Sequence, residues 1–488
     1  MPRLRGALHV LALVGLLVGA ACGDRPPAPA GVAAARYGGD GVPEDGGVKA
    51  QRRPNVLVIC LDTVRADSFA PWASGPPPCP ETSAWMKAHG VAFHGASATA
   101  PWTAPSVTSL LTGLLPSGHG VRVFSDATLL PAAIPTLAEI LRAQGWHATS
   151  YVAGGWVSGD TGILQGFEEE NEPFSFGAMH DAIVKMQAAS KALAPWFVLL
   201  HTLEAHDPYD APPAAPGPRP VPPPVDLAAV DRAAESDGGR SLAGHFLLDW
   251  ATRPVIFDNA LGRPRVEAVM RYFEKGFRAD PEKAAFAATA HAAYLRGLAR
   301  LDRWLAVYLK GAEAAGVLDG TILVLCADHG EGFGEHDTLH HGRRLYDELL
   351  RVPLYVCAPG LAPGTVVEGS CSLADVVPTI LDLVGLPPPE GIEGRTLLPV
   401  ARGGPGRPVL AEERRTASET GFPVDEHLVS VRDARWKWIR TTDLTKGTSR
   451  EESYDLSADP GETVRLAPAA ATWSAAFGDA VRRAKAIR

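Results

Sequence analysis

Three uninterrupted apolar runs constrain the fold of this chain more than any other feature of its sequence. They cover residues 54–61, 196–201 and 321–327, and the first of them reads PNVLVICL. A strand that is buried on both faces of a sheet has a continuous apolar sequence, whereas a strand with one solvated face alternates apolar and polar residues. The runs therefore predict buried strands of a parallel sheet.

Polar residues follow each of these runs. Asp62 follows the first, Asp328 and His329 follow the third, and a polar loop containing His206 follows the second. Ligands of open α/β sheets bind at the carboxyl ends of the strands, and two carboxylates with one imidazole suit Zn²⁺ or Mn²⁺. Taken singly, Asp62 could equally cap the next turn, and His206 could be a loop histidine bonded to neighbouring backbone.

Residues 97–120 contain a rigid loop followed by a short helix. Pro101 and Pro105 restrict the loop, and the sequence predicts a helix over 105–112. The hydroxyl of Thr103 is then expected just ahead of a helix N-terminus, where unpaired N–H groups and the helix dipole favour an anion. Taken alone, this stretch favours a plain loop-to-helix junction. Together with the polar strand ends, it favours a nucleophile that attacks a sulfate or a phosphate.

A group of histidines lies downstream of the third run. His336, His340 and His341 could form a solvated surface patch, but their place near the carboxyl end of a buried strand favours a site. Glu331 and Glu335 are candidate hydrogen-bond partners of His329, and the alternative for either is an exposed side chain without a role.

The composition indicates a large enzyme-sized domain with a smaller one beside it. The chain has 488 residues, of which 46% are apolar and 21% charged, enough for a sizeable core. Its net charge of −9 and the lack of any run rich in Lys and Arg argue against a nucleic-acid partner. Cys60, Cys326 and Cys357 lie within apolar runs and are expected to be small buried side chains.

The first 22 residues have the pattern of a secretory signal. Arg3 and Arg5 precede an apolar run over 7–20, and small residues precede Cys22. This pattern predicts export to the periplasm or cell envelope, with membrane attachment through a lipid on Cys22. A cleaved soluble precursor and an uncleaved single-span anchor are the alternatives. Residues 23–52 are rich in Gly, Ala and Pro, which predicts a flexible linker.

The order of several motifs resembles that of the sulfatase family, a branch of the alkaline-phosphatase superfamily, over residues 53–466. The motifs are PNVLVICLDTVRAD, APWTAPSVTSLLTG, HTLEAHDPY, LDGTILVLCADHGEGFGEH, HHGRRLYDELLRVPL and YDLSADPGET. The resemblance implies an α/β fold with a mixed, mostly parallel sheet between helices and a small α+β C-terminal subdomain. It implies a catalytic domain over 53–385, with an insertion at about 210–280, and the subdomain over 386–488.

The resemblance also implies roles for single residues. Asp62, Asp328 and His329 fall on metal-ligand positions, and Thr103 falls on the nucleophile position, which also contacts the metal. His206 matches a histidine that contacts the transferred anion. His341 falls close to a basic residue on the substrate side, so that Thr103, His206 and His341 form the expected catalytic set.

This chain departs from the pattern of the family at four positions, one of which is His329, where calcium sulfatases commonly have an amide. Thr103 stands where sulfatases have a cysteine that is oxidised to formylglycine, and Val107 stands where their motif has arginine. Thr63 replaces the second aspartate of a metal-binding pair. With one carboxylate fewer and an imidazole at His329, the site is expected to bind one divalent ion, with Zn²⁺ or Mn²⁺ favoured over Ca²⁺.

These features predict a metal-dependent hydrolase that acts on an anionic sulfate or phosphate ester through Thr103. A phosphodiesterase or a phosphoethanolamine-type transferase of the same superfamily is the first alternative, because a threonine ester lacks the elimination route of formylglycine. A catalytically inactive surface scaffold, which keeps the fold for binding, is the second.

Overall fold

The computed structural model describes residues 53–122, 129–171, 195–207, 209, 276–415, 425–467 and 473–487. The signal peptide, the linker and most of the insertion lie outside these residues and stay predictions. The described residues form one compact unit. No helix in the described part of the chain has both the length and the apolar character needed to cross a membrane.

Twelve strands are present in the described residues. They are β1 (Asn55–Leu61), β2 (Val91–Ser97), β3 (His147–Val152), β4 (Glu169–Asn171), β5 (Trp196–Thr202), β6 (Thr321–Ala327), β7 (Leu354–Cys357), β8 (Val366–Ser372), β9 (Val409–Arg415), β10 (Glu426–Arg432), β11 (Trp436–Asp443) and β12 (Thr448–Asp455).

The larger sheet has eight strands in the order β4-β3-β5-β1-β6-β7-β2-β8. Every neighbouring pair is parallel except the two that involve β7, which runs antiparallel to β6 and to β2. All residues of β1, β5 and β6 are buried. The three apolar runs are therefore central strands, and the predicted α/β fold with a mixed, mostly parallel sheet is confirmed.

Helices cover this sheet and join its strands. The α-helices of the described residues are α1 (Pro80–His89), α2 (Thr103–Thr112), α3 (Pro116–His119), α4 (Leu137–Ala143), α5 (Pro281–Ala314), α6 (Asp347–Leu350), α7 (Val376–Leu383), α8 (Leu398–Ala401) and α9 (Ala475–Ala486). Helix α5 is bonded to α1 through Asp302, whose carboxylate accepts the backbone N–H groups of Glu81 and Thr82 at 3.0 and 2.8 Å. This carboxylate caps the free N–H groups at the start of α1.

A second sheet follows in the C-terminal part of the chain. Its four strands are antiparallel, in the order β12-β11-β10-β9. Trp438 of β11 and Phe477 of α9 are fully buried in one apolar cluster between this sheet and the last helix. An α+β subdomain was expected here, and the sheet with its helix agrees with it, whereas the predicted boundary at residue 386 stays a prediction.

Candidate metal and nucleophile site

The two aspartates of the site lie side by side because their strands are neighbours in register. Leu61 of β1 pairs with Ala327 of β6, so Asp62 and Asp328 leave the sheet at the same edge. Asp328 Oδ1 accepts the backbone N–H groups of His329 at 2.8 Å and Thr63 at 3.3 Å. Among the described residues, the buried atoms Asp62 Oδ1 and Asp328 Oδ2 have no hydrogen-bond partner.

The imidazole of His329 faces these two free oxygens. Its Nε2 lies 3.5 Å from Asp62 Oδ1 and 3.6 Å from Asp328 Oδ2, and its Nδ1 lies 2.9 Å from the carbonyl oxygen of Gly330. A neutral imidazole that donates from Nδ1 to a carbonyl presents the lone pair of Nε2. The three side chains therefore converge as a ligand group, which is the arrangement expected from the sequence.

Thr103 completes this group from the other side. Its Oγ1 donates to Asp62 Oδ2 at 3.3 Å and lies 3.3 Å from His329 Nε2. The helix was expected to begin at Pro105, but α2 begins at Thr103, so the hydroxyl lies in its first turn. Ser106 Oγ donates to the carbonyl oxygen of Asp328 at 2.6 Å and ties α2 to the end of β6.

The spacing of these atoms fits a small divalent cation. Zinc–ligand distances of about 2.0–2.1 Å place the ligand atoms of a tetrahedral site about 3.3 Å apart. The separations of His329 Nε2 from Thr103 Oγ1, Asp62 Oδ1 and Asp328 Oδ2 are 3.3, 3.5 and 3.6 Å. Two buried carboxylate oxygens without a donor also require positive charge, because an unpaired buried charge is costly. The residues present therefore fit the metal that the sequence predicts.

His201 is a member of this site that the sequence analysis did not identify. It belongs to β5, is fully buried, and places Nε2 3.4 Å from Asp62 Oδ2 and 3.8 Å from Asp328 Oδ2. It was interpreted only as the last residue of an apolar run. The signal that could have found it is the two-residue period of a strand, which puts the residue opposite Cys60 on the face that carries Asp62.

The carboxylates and imidazoles of the site shift the pKa values of one another. Burial raises the pKa of Asp62, but the imidazoles of His206, His201 and His329 outweigh burial and hold it below its usual range. Burial lowers the pKa of His201, but the carboxylates of Asp328 and Asp62 outweigh burial and raise it to about 9. The carboxylate pair thus attracts a positive charge, either a proton on His201 or a bound cation.

The two other predicted catalytic histidines lie next to the metal-ligand group. The ring centroid of His341 is 4.6 Å from that of His329 and 5.1 Å from that of His206. His206 Nδ1 lies 2.8 Å from Asp207 Oδ1 and 2.9 Å from the Asp207 carbonyl oxygen, so it has the backbone contact of a loop histidine as well as its place in the site. His340 stacks on His341 with a centroid distance of 4.0 Å.

A buried carboxylate holds His341. Both oxygens of Glu331 lie 3.2 Å from His341 Nδ1, and Tyr209 donates its hydroxyl to Glu331 Oε2 at 3.1 Å. Burial and the neighbouring histidines lower the pKa of His341, and burial raises the pKa of Glu331. The expectation that Glu331 and Glu335 bond to His329 is wrong, because the carbonyl oxygen of Gly330 occupies the Nδ1 side of that ring.

Two sequence candidates lie in other groups of contacts. Glu335 pairs with Arg65, whose guanidinium also pairs with Asp67. His336 does not join His340 and His341, since its Nδ1 lies 2.7 Å from Glu348 Oε1 and its ring stacks on Tyr346. Glu335 and His336 therefore connect the loop after β6 to neighbouring segments and do not contact the metal-ligand group.

Comparisons with known proteins find relatives over most of the chain. Residues 54–386 match the profile of the Sulfatase family, and residues 334–473 match that of the C-terminal part of N-sulphoglucosamine sulphohydrolase. A choline-sulfatase of Rhizobium meliloti is 25% identical over 463 residues, which are 85% of this chain and 82% of that protein. A Delta 4,5-hexuronate-2-O-sulfatase of Bacteroides thetaiotaomicron is 24% identical over 453 residues, 86% of this chain and 85% of that protein.

A solved structure shares the fold. The phosphonate monoester hydrolase of Agrobacterium radiobacter superposes with a TM-score of 0.61 at 21% identity, and the match covers 89% of this chain and 95% of that one. At this identity the likeness supports the architecture of the two sheets, not a shared substrate.

Proposed function

Since this chain belongs to the sulfatase family, we propose that it is a metal-dependent hydrolase of sulfate or phosphate esters with Thr103 as its nucleophile. One observation carries the proposal. The Thr103 hydroxyl lies 3.3 Å from both Asp62 Oδ2 and His329 Nε2, at the first residue of a buried helix. A hydroxyl in contact with metal ligands at a helix N-terminus is placed both to be activated and to receive an anion.

Asp62, Asp328 and His329 would hold the cation. When bound, a divalent ion supplies positive charge that lowers the pKa of a nearby hydroxyl and offsets the charge of the transferred group. Thr103 gives up its proton along its hydrogen bond to Asp62 Oδ2, and its Oγ1 attacks sulfur or phosphorus. A bond forms between Oγ1 and that atom, and the bond to the alcohol oxygen breaks.

The departing oxygen needs a proton, and His206 is the side chain suited to give it. Asp207 Oδ1 lies 2.8 Å from His206 Nδ1 and stabilises the protonated ring, so the transferred proton comes from Nε2. His341 has a different part, because burial and its histidine neighbours lower its pKa and keep it neutral. Because its Nδ1–H is donated to the Glu331 carboxylate, the neutral ring presents Nε2 to the site as an acceptor, placed to take a proton from the water that attacks in the second half of the reaction.

The second half of the reaction separates sulfate from phosphate chemistry. A threonine ester has no hydroxyl on the attached carbon of the kind that lets formylglycine expel sulfate, so water must attack the sulfur or phosphorus atom. Threonine at position 103 therefore favours phosphate monoesters or diesters as a second candidate class of substrate. The curated relatives are named for sulfate esters, which favours sulfate.

Turnover by Thr103 variants tests the proposal. We expect Thr103→Ala to lower kcat by at least about 10³-fold, a typical loss for a removed nucleophile, and to keep its metal. Thr103→Ser should keep a substantial part of the activity, since it retains the hydroxyl. The assay compares an aryl sulfate, an aryl phosphate and an aryl phosphodiester with protein loaded in turn with Zn²⁺, Mn²⁺ and Ca²⁺.

Thr112 provides a matched control at the other end of the same helix. Its Oγ1 donates to the Thr108 carbonyl oxygen at 2.7 Å, away from the site, so Thr112→Ala should retain turnover. Full activity in Thr103→Ala would overturn the nucleophile assignment. A wild type that binds none of the metals and turns over none of the esters would instead support the scaffold alternative.

A further inference from the structure

His201 occupies a position from which its ring reaches the metal-ligand group. It pairs in register with Cys60 of β1, and residues that are directly opposite in a parallel pair point to the same face of the sheet. Asp62, two residues after Cys60, shares that face. The imidazole therefore points to the same side of the sheet as Asp62. Its Nε2 lies 3.4 Å from Asp62 Oδ2 and 3.8 Å from Asp328 Oδ2.

The ring of His201 lacks ordinary hydrogen bonds. Among the residues that the structure describes, neither Nδ1 nor Nε2 has a hydrogen-bond partner of good geometry, although the side chain is fully buried. Buried polar atoms are almost always paired, because an unpaired one loses its hydrogen bonds to water without replacing them. Asp62 Oδ1 and Asp328 Oδ2 are unpaired in the same place. A shared bound cation would satisfy His201 Nε2 together with these two carboxylate oxygens.

The chain also lacks a ligand elsewhere in the site. Thr63 stands at the position that the family resemblance assigns to a second aspartate. Its Oγ1 donates to the Asp62 carbonyl oxygen at 2.7 Å, so the hydroxyl faces its own backbone. The residue is held at φ 59°, and Tyr294 donates to its carbonyl oxygen at 3.0 Å. Thr63 therefore provides no side-chain ligand, and a fifth position beside Asp62, Asp328, His329 and Thr103 would be open to another residue, since zinc sites can expand from four to five ligands.

We propose that His201 fills this position as a second imidazole ligand of the cation that Asp62, Asp328 and His329 bind. This inference rests on the metal site of the proposed function. Calcium prefers oxygen ligands, whereas imidazole suits zinc and other transition metals. Two imidazoles and two carboxylates thus make the site selective for Zn²⁺ over Ca²⁺.

The test measures metal binding directly rather than turnover. The full chain is stripped with a chelator and titrated with Zn²⁺ and with Co²⁺, whose visible absorption reports the number and type of ligands. We expect one tightly bound ion in the wild type. His201→Gln should weaken Zn²⁺ binding by at least about tenfold and change the Co²⁺ spectrum, whereas His147→Gln, which removes an exposed histidine of β3, should change neither.

A second variant guards against a simple folding defect. His201→Asp replaces the imidazole by a carboxylate and should lower the ratio of Zn²⁺ to Ca²⁺ affinity by at least about tenfold. A misfolded protein would instead lose its affinity for both Zn²⁺ and Ca²⁺. Unchanged affinity and an unchanged Co²⁺ spectrum in His201→Gln would overturn the assignment of His201.

The outcomes also separate this inference from the proposed function. If His201→Gln binds metal like the wild type while Thr103→Ala is inactive, only the role of His201 fails. If His201→Gln loses metal while Thr103→Ala stays active, only the nucleophile fails. A wild type that binds no ion would overturn both.

Discussion

Backbone groups hold several side chains around Thr103 and leave their functional atoms available. The N–H of His329 occupies Asp328 Oδ1, and the carbonyl oxygen of Gly330 engages His329 Nδ1. Ser106 bonds to the Asp328 carbonyl oxygen. Since the backbone of a buried strand end moves little, these bonds preorganise Asp328 Oδ2 and His329 Nε2 before any ligand arrives.

Glu331 offers a test of positioning at the scale of one residue. It binds Tyr209 and His341 at once, and an amide in its place must turn its NH₂ group toward one of them. We expect Glu331→Gln to lower kcat about 10- to 100-fold, the usual cost of losing such a supporting carboxylate, while the metal content and KM stay close to those of the wild type. The measurement is steady-state kinetics together with metal analysis.

Glu335→Gln is the matched control for this prediction. Glu335 lies four residues further along the same loop, but it pairs with Arg65 and accepts the backbone N–H of Phe333. Its loss should leave kcat nearly unchanged. Equal effects of the two substitutions would mean that the loop, rather than the contact of Glu331 with His341, sets the rate.

At the scale of elements, the C-terminal sheet is bonded to the segment that carries His341. Lys437 of β11 is fully buried, and its Nζ lies 2.7 Å from Asp347 Oδ1 at the start of α6 and 3.0 Å from Glu462 Oε1. Arg432 of β10 pairs with the other oxygen of Asp347 at 3.0 Å. Burial raises the pKa of Asp347, but Arg432 and Lys437 outweigh burial and hold it below its usual range.

Removal of the lysine charge should therefore destabilise the protein. We expect Lys437→Met to lower the free energy of unfolding by about 3–5 kcal/mol, because it leaves the buried Glu462 carboxylate without its cation and removes one of the two cations that pair with Asp347. The measurement is equilibrium unfolding in urea. Lys446→Met, which breaks an exposed ion pair with Asp443, should cost no more than about 1 kcal/mol. Similar costs for both variants would contradict a structural role of the buried pair.

At the scale of the whole molecule, the sequence predicts the central part of the fold well. The runs at 54–61 and 321–327 agree with β1 and β6 to within one residue, because strands buried on both faces leave an unambiguous apolar signal. The same strand ends locate Asp62, Asp328 and His329, and the structure brings these together with Thr103.

The C-terminal sheet and two buried polar residues cannot be predicted from local sequence patterns. The C-terminal part is predicted only as an α+β subdomain, since a strand such as β12 is largely polar and exposed. His201 and Lys437 are hidden for a different reason. Each is a polar side chain within a strand, and only the register with a neighbouring strand, or a contact with a distant loop, reveals its partner.

The most direct test of the account is a search for the covalent intermediate on Thr103. Metal-loaded wild-type protein is mixed with an aryl phosphate or an aryl sulfate, quenched with acid during turnover, digested and mapped by peptide mass spectrometry. The account predicts a phosphate or sulfate ester on Thr103 that is absent from Thr103→Ala and from chelator-treated protein. Rapid turnover with the ester on another residue, or with an equal yield in the chelator-treated protein, would contradict it.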